Sequence, residues 1–93
     1  MIKGFKDKRT EALYRSRNSR DFPPDIVERA RRKLAALNAA HTLDDLRVPP
    51  SNRLERLKGE RAGQHSIRIN DQWRICFRWR NAEADDVEIC DYH

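Results

Sequence analysis

The eight residues Trp73–Arg80 alternate without a break. Trp73, Ile75, Phe77 and Trp79 are apolar, while Arg74, Cys76, Arg78 and Arg80 are polar, three of them arginine. A period of two marks a strand with one face buried and the other not. A chain built on such a strand must cover its apolar side and leave a strongly cationic side open to a partner. The neighbouring sequence repeats the pattern. His65, Ile67 and Ile69 alternate with Gln64, Ser66, Arg68 and Asn70, and Asn70-Asp71-Gln72 supplies the turn of a hairpin. Val87 and Ile89 alternate with Glu88, Cys90 and Tyr92 in a last strand, joined to the previous one through Asn81–Asp85. Arg53 to Lys58 reads as extended, but Leu54 and Leu57 break the alternation and leave its register open.

The cover comes from upstream. Pro23-Pro24 opens a helix, since proline is tolerated in a first turn where its missing N–H costs nothing. Asp25 and Glu28 lie near the positive end of that helix and Arg31, Arg32 and Lys33 further along, as the macrodipole prefers. Ile26, Val27, Ala30, Leu34 and Leu37 recur at helical spacing and form one buried face. Before it, Ile2 to Lys6 reads as a short strand, Asp7 to Tyr14 as a short helix and Arg15 to Arg20 as a polar loop. After it, Thr42 and Asp45 have the spacing of a capping box for a short helical segment that ends at Val48-Pro49-Pro50. The expected architecture is α+β: an N-terminal strand and two helices packed on one face of a mostly antiparallel sheet of three or four strands, in a single domain spanning residues 1–93.

With 93 residues the chain has room for one small core. Charged residues make up 38%, against roughly 25% in ordinary soluble domains, and the net charge is +5. The charge is unevenly placed. From Arg53 to Arg80 there are eight basic side chains, seven of them arginine, against three acids, whereas residues 81–93 hold five acids and neither Lys nor Arg. Arginine's planar fork suits phosphate better than lysine's point charge does, which points to a nucleic-acid backbone. The chain lacks an apolar run long enough for a membrane span and a signal-peptide pattern at Met1–Phe5, so a soluble, cytoplasmic protein is expected. Two cysteines, without C-x-x-C spacing, read as reduced thiols and, with three scattered histidines, make no zinc signature. If Arg80 faces Asp86, regular pairing sets Cys76 directly across from Cys90, on the face that carries Arg74 and Tyr92.

Neither phosphate-binding glycine loop is present, nor an acidic cluster suited to Mg²⁺, nor a recognisable serine triad. What remains is a cationic sheet face edged by Lys58, Asp91, Tyr92 and His93. Such a face can bind a polyanion and can stabilise the pentacoordinate phosphorus formed when RNA's own 2′-OH attacks, a reaction that needs no metal or other cofactor if fixed guanidinium groups absorb the charge. Each residue also has a plainer reading. Arg74, Arg78 and Arg80 suit a solvated face, Trp73 and Trp79 suit core packing more than base stacking, His65 a core edge, His93 a frayed end and Glu55 a surface charge.

Three blocks narrow the choice: Asn52-Arg53-Leu54-Glu55-Arg56-Leu57-Lys58-Gly59, then Gly63 to Phe77 with Asn70-Asp71-Gln72-Trp73-Arg74-Ile75 at its centre, and the terminal Asp91-Tyr92-His93. In this order and spacing the chain resembles the HigB branch of the RelE/ParE toxin superfamily, over nearly its whole length. The resemblance implies a type II toxin with a RelE-like fold that enters the ribosomal A site and cleaves mRNA there. It further implies neutralisation by a HigA-like helix-turn-helix antitoxin, with DNA touched only indirectly through that antitoxin. Carried over residue by residue, the catalytic set is Lys58, Arg74, Asp91, Tyr92 and His93, and Arg31, Arg32, Arg53, Arg56, Arg68 and Arg78 are the expected RNA and ribosome contacts. Some relatives have histidine three residues before the lysine, where this chain has Glu55. Two other classes share the pattern: a ParE-like gyrase inhibitor without nuclease activity, and a plain RNA-binding module.

Overall fold

The computed structural model describes residues 1–15 and 20–91, so most of the polar loop expected at 15–20 lies outside the described residues, as do Tyr92 and His93. Helix α1 (Lys8–Arg15) begins one residue later than its sequence pattern because Asp7 caps it: Asp7 Oδ1 accepts the Thr10 backbone N–H at 2.8 Å. Helix α2 (Pro24–Ala39) starts on its proline and buries Ile26, Ala30, Leu34 and Leu37, the stripe set by its 3.6-residue period. The Thr42–Asp45 capping box forms as expected and opens a 3-10 turn over Leu43–Arg47. A second 3-10 turn, Pro50–Asn52, leads into the sheet.

Four antiparallel strands follow in simple order: β1 (Glu55–Arg56), β2 (His65–Arg68), β3 (Trp73–Arg80) and β4 (Glu83–Asp91), with a 3-10 turn at Gly59–Arg61 between the first two. Ile67, Ile75, Phe77, Val87 and Ile89 are buried against the helices. Each such side chain contributes about 1.5–3 kcal/mol when taken fully from water. The two tryptophans join this core as its phase requires: Trp73 meets Phe22 edge-on with ring centroids 6.0 Å apart, and Trp79 meets Phe77 at 6.5 Å.

Two local expectations are corrected. The connection between β3 and β4 is a two-residue turn, Asn81-Ala82, with φ of 52° and 63°, and not the longer Asn81–Asp85 loop. Arg80 therefore faces Glu83 and not Asp86. An extra residue then enters β4, where Asp86 takes φ 50°, so Cys76 comes to face Glu88 and Cys90 to face Arg74. The net slip is two residues, which keeps both cysteines on the Arg74 face. The second correction concerns Ile2–Lys6, which makes isolated parallel bridges, Ile2 with Ala84 and Phe5 with Val87, in place of a full strand.

That N-terminal segment nevertheless closes the outer edge of β4. Lys3 and Lys6 donate backbone N–H bonds to the carbonyls of Ala84 and Val87, and the N–H groups of those two residues donate to Met1 and Gly4. Where the segment turns into α1, the Thr10 hydroxyl takes over and accepts the Ile89 N–H at 3.0 Å. Thr10 is fully buried. Thr10→Val keeps the shape but leaves a buried N–H unpaired, so urea unfolding should show a loss of about 1–3 kcal/mol, while Thr10→Ser retains most of the stability.

Candidate active site

The sheet face turned away from the helices is organised in rows. Register places Glu55, Ser66, Cys76 and Glu88 side by side across the four strands, and Arg68, Arg74 and Cys90 in the next row. Arg74 leans from its own row into the first. Its Nε donates to Ser66 Oγ at 2.8 Å, and its Nη2 donates to the Arg53 carbonyl at 2.8 Å and lies 3.3 Å from Glu55 Oε1. Arg53 sits in the left-handed region with φ 45°, which ends the Pro50–Asn52 turn just before β1. The expectation of an open cationic strand face is thereby refined: Arg74 is only 8% exposed, a guanidinium locked in place. Arg78 is half-buried, with Nε 3.4 Å from Asp86 Oδ2. Gly63, at φ 90°, lets the β1–β2 connection pass so close that a Cβ there would stand 2.8 Å from Arg78 Nη1.

Around this centre the other expected residues divide. Lys58 is exposed at the start of the Gly59–Arg61 turn, and Arg53 and Arg56 are exposed beside β1. Arg68, the register partner of Arg74, pairs with Asp71. Asp91 stands in register with Trp73, out of phase with Arg74, and its Oδ2 accepts from Gln72 Nε2 at 2.9 Å. Arg31 is turned toward α1. Its guanidinium donates to the Leu13 carbonyl at the end of α1 and to Glu28, which makes it a clamp between the helices. Arg32 is exposed on α2.

Sequence reading did not find the partners that hold Arg74. Glu55 read as a plain surface charge, and Ser66 and the Arg53 carbonyl were unmarked, because the register of the 53–58 segment was open. Glu88 and Arg61 were missed because the short β3–β4 turn and the Asp86 bulge set the place of Glu88 and no pattern marked Arg61: the Glu88 carboxylate accepts from Arg61 at 3.1 Å and pairs with Lys6 at 3.2 Å. Beneath them the Cys76 and Cys90 sulfurs are 2.7 Å apart, both as thiols. The two titrate as a pair. The hydrogen bond from Cys90, helped by Arg61 and Arg74, lowers the pKa of Cys76, while the same bond and burial raise that of Cys90. His65, on the helix-facing side with its ring 6.0 Å from Phe77, has its pKa lowered by burial and by Arg56.

This arrangement is a fixed guanidinium with the exposed cations Arg53, Arg56 and Lys58 along the β1 edge and an apolar sheet face behind it. It suits an anion whose charge increases in place. The family profile described as "RelE-like toxin of type II toxin-antitoxin system HigB" matches residues 3–93. The chain is 45% identical over 81 residues to Toxin HigB-1 of Vibrio cholerae, covering 86% of this chain and 85% of that one. It is 33% identical over 93 residues, end to end in both chains, to Endoribonuclease HigB of Proteus vulgaris. Among solved structures, a chain of the YoeB–YefM complex from Staphylococcus aureus superposes with a TM-score of 0.62 at 16% identity, covering 100% of this chain and 98% of that one, which is a likeness of fold. The protein belongs to the HigB-like family of RelE-like toxins of type II toxin–antitoxin systems.

The thiol pair offers a direct check on the site geometry. Replacing Cys90 with Ala removes the donor that favours the Cys76 thiolate, so a pH titration of thiolate ultraviolet absorbance should show Cys76 ionising at higher pH than in the parent chain. An unchanged titration would mean the sulfurs are not in contact.

Proposed function

We propose that this toxin is a cytoplasmic, ribosome-dependent endoribonuclease that cuts mRNA in the A site, and that a HigA-like helix-turn-helix antitoxin neutralises it. The observation that carries the reading is the Arg74 guanidinium, held on three sides by Ser66, Glu55 and the Arg53 carbonyl. In the reaction the RNA 2′-oxygen bonds to the adjacent phosphorus, the bond from phosphorus to the 5′-oxygen breaks, the 2′ proton leaves and the 5′-oxygen gains one. Negative charge builds on the non-bridging oxygens between those events. A cation already fixed in place stabilises that charge without reorganising, which is where electrostatic catalysis has its largest effect. Lys58, Arg53, Arg56, Arg68 and Arg78 serve as phosphate contacts around Arg74, and proton handling is assigned to Asp91, Tyr92 and His93 on the resemblance to the family.

Glu55 offsets the charge of Arg74 in this scheme. It is half-exposed, so an incoming phosphate can displace it from Arg74 at little cost. Alignment of the substrate is the role assigned to the ribosome.

Purified protein should therefore leave free RNA largely intact and cut message on translating ribosomes. Rapid cleavage of naked RNA would overturn the ribosome requirement, and gyrase-linked DNA breaks without mRNA cleavage would move the protein to a ParE-like role. Arg74→Ala should lower cleavage by about 10²–10³-fold while ribosome binding survives, and Arg74→Lys should not restore it, since a point charge cannot reproduce the fork. Equal losses in binding and cleavage would make Arg74 a docking residue.

A further inference from the structure

A cavity of about 600 Å³ lies at the end of the sheet, between α2, the Pro50–Asn52 turn and the last residues of β2. Four cations line it: Arg29, Arg32 and Lys33 from one side of α2, and Arg68 from β2. We propose that this cavity is a second RNA site, which grips the phosphodiester backbone of a strand whose neighbouring segment lies at Arg74. The proposal rests on reading the protein as an RNA-directed toxin and adds to it a binding subsite that shares Arg68 with the Arg74 centre and brings in Arg29, Arg32 and Lys33.

Two of the cations, Arg29 and Lys33, are held by neutral partners. Arg29 donates to the Ile69 carbonyl at 3.2 Å, and Lys33 to the Oδ1 of Asn52. Asn52 is itself 1% exposed, and its amide nitrogen donates to the carbonyls of Leu46 and Val48, so the wall that carries Lys33 is rigid. Neither bond cancels charge. The acid in contact with the set is Asp71, an exposed rim residue paired with Arg68, and no carboxylate lines the cavity among the described residues. Arg29, Arg32 and Lys33 repel one another, and burial and both arginines lower the pKa of Lys33. An anion in the cavity relieves that repulsion.

The shape and the setting select a phosphodiester chain. The volume falls in the range of ligand sites and exceeds what a bare phosphate fills. Ala36, Pro49 and Ile69 add an apolar surface against which a ribose or base can lie. Three arginine forks suit phosphate oxygens. The decisive feature is continuity with the reactive centre. Asn52 in the cavity wall precedes Arg53, whose carbonyl receives Arg74, and Arg68 in the cavity is the register partner of Arg74 on the next strand. Register partners on antiparallel strands have Cα atoms about 4.5–5.5 Å apart. A polymer of phosphates engaged at Arg74 is thus led directly to the cavity.

The probe is a 2′-O-methyl oligoribonucleotide, which keeps the backbone charge but lacks the attacking hydroxyl. Binding to the full chain is measured by fluorescence anisotropy across a salt series, beside binding to ribosomes stripped of message. Arg32 is exposed, so Arg32→Gln and Arg32→Glu test the cavity, with Lys8→Gln on α1 as a control whose charge loss equals that of Arg32→Gln. Loss of one phosphate contact should reduce the magnitude of the oligonucleotide salt slope by about 0.7 for Arg32→Gln, with a larger affinity loss for Arg32→Glu, while Lys8→Gln matches the parent. A loss on the oligonucleotide supports the proposal; a loss confined to stripped ribosomes overturns it, because the bound RNA would then not be the strand that lies at Arg74. If both Arg32 variants bind both probes as the parent does, the proposal is wrong, and if they lose antitoxin binding alone, the cavity is a protein-docking site and the proposal is equally wrong. A parent chain that binds RNA through Arg32 yet never cuts message on ribosomes would sink the nuclease reading and leave the cavity standing.

Discussion

Strand β3 must keep Ile75 and Phe77 dry and hold Arg74 and Arg78 on its opposite side, and the rest of the molecule answers to that division. The alternation is covalent: successive side chains on a strand cannot choose a face independently. Helix α2 supplies hydrocarbon to one side. On the other, β2, β1 and the segment entering β1 supply acceptors, since a buried guanidinium without them would cost several kcal/mol. They are Ser66, Glu55 and the Arg53 carbonyl.

The partners of Arg74 differ in what they contribute. Ser66 is fully buried and the Arg53 carbonyl belongs to a backbone in the left-handed region, so both are immobile acceptors. Glu55 is 49% exposed, and water screens much of its attraction. The first two therefore set the direction of the guanidinium, and the carboxylate offsets its charge until a stronger anion arrives. A similar separation of tasks appears at Glu88, whose carboxylate is mostly buried and gathers Arg61 and Lys6 over the thiol pair. That pair fills the space under the face with polarisable sulfur and adds no net charge while both remain protonated.

Much of this was legible in the sequence, because much of it is local. The two-residue period of β3, the proline start and apolar stripe of α2, and the Thr42–Asp45 box each specify their element within a few residues. The parts that were not legible depend on the backbone elsewhere. Asn81-Ala82 forms a two-residue turn with positive φ at both positions, although the usual signal for that turn places glycine second. Asp86 enters the left-handed region and inserts a bulge that no alternation pattern announces. Glu55 could not be matched to Arg74 while the register of β1 was open, and Arg31 looked like a surface cation until the end of α1 was seen beneath it. The roles of Tyr92 and His93 rest on resemblance to the family, as both lie outside the described residues.

The two edges of the sheet then determine from which side a polyanion can approach. An open edge strand presents unpaired backbone groups, and proteins cover it or keep it short and charged. Here the β4 edge is covered by residues 1–10 through five hydrogen bonds, one of them accepted by a buried threonine hydroxyl. The β1 edge is handled in the other way: two residues, Glu55 and Arg56, both exposed, with Arg53 and Lys58 on either side. The same end of the sheet carries the Arg74 centre and the cationic cavity of α2. The acids of residues 83–91 are gathered on β4, with Glu88 already neutralised by Arg61 and Lys6. The asymmetry is therefore electrostatic as well as topological, and it directs a negatively charged strand to the β1 side, where the fixed guanidinium is.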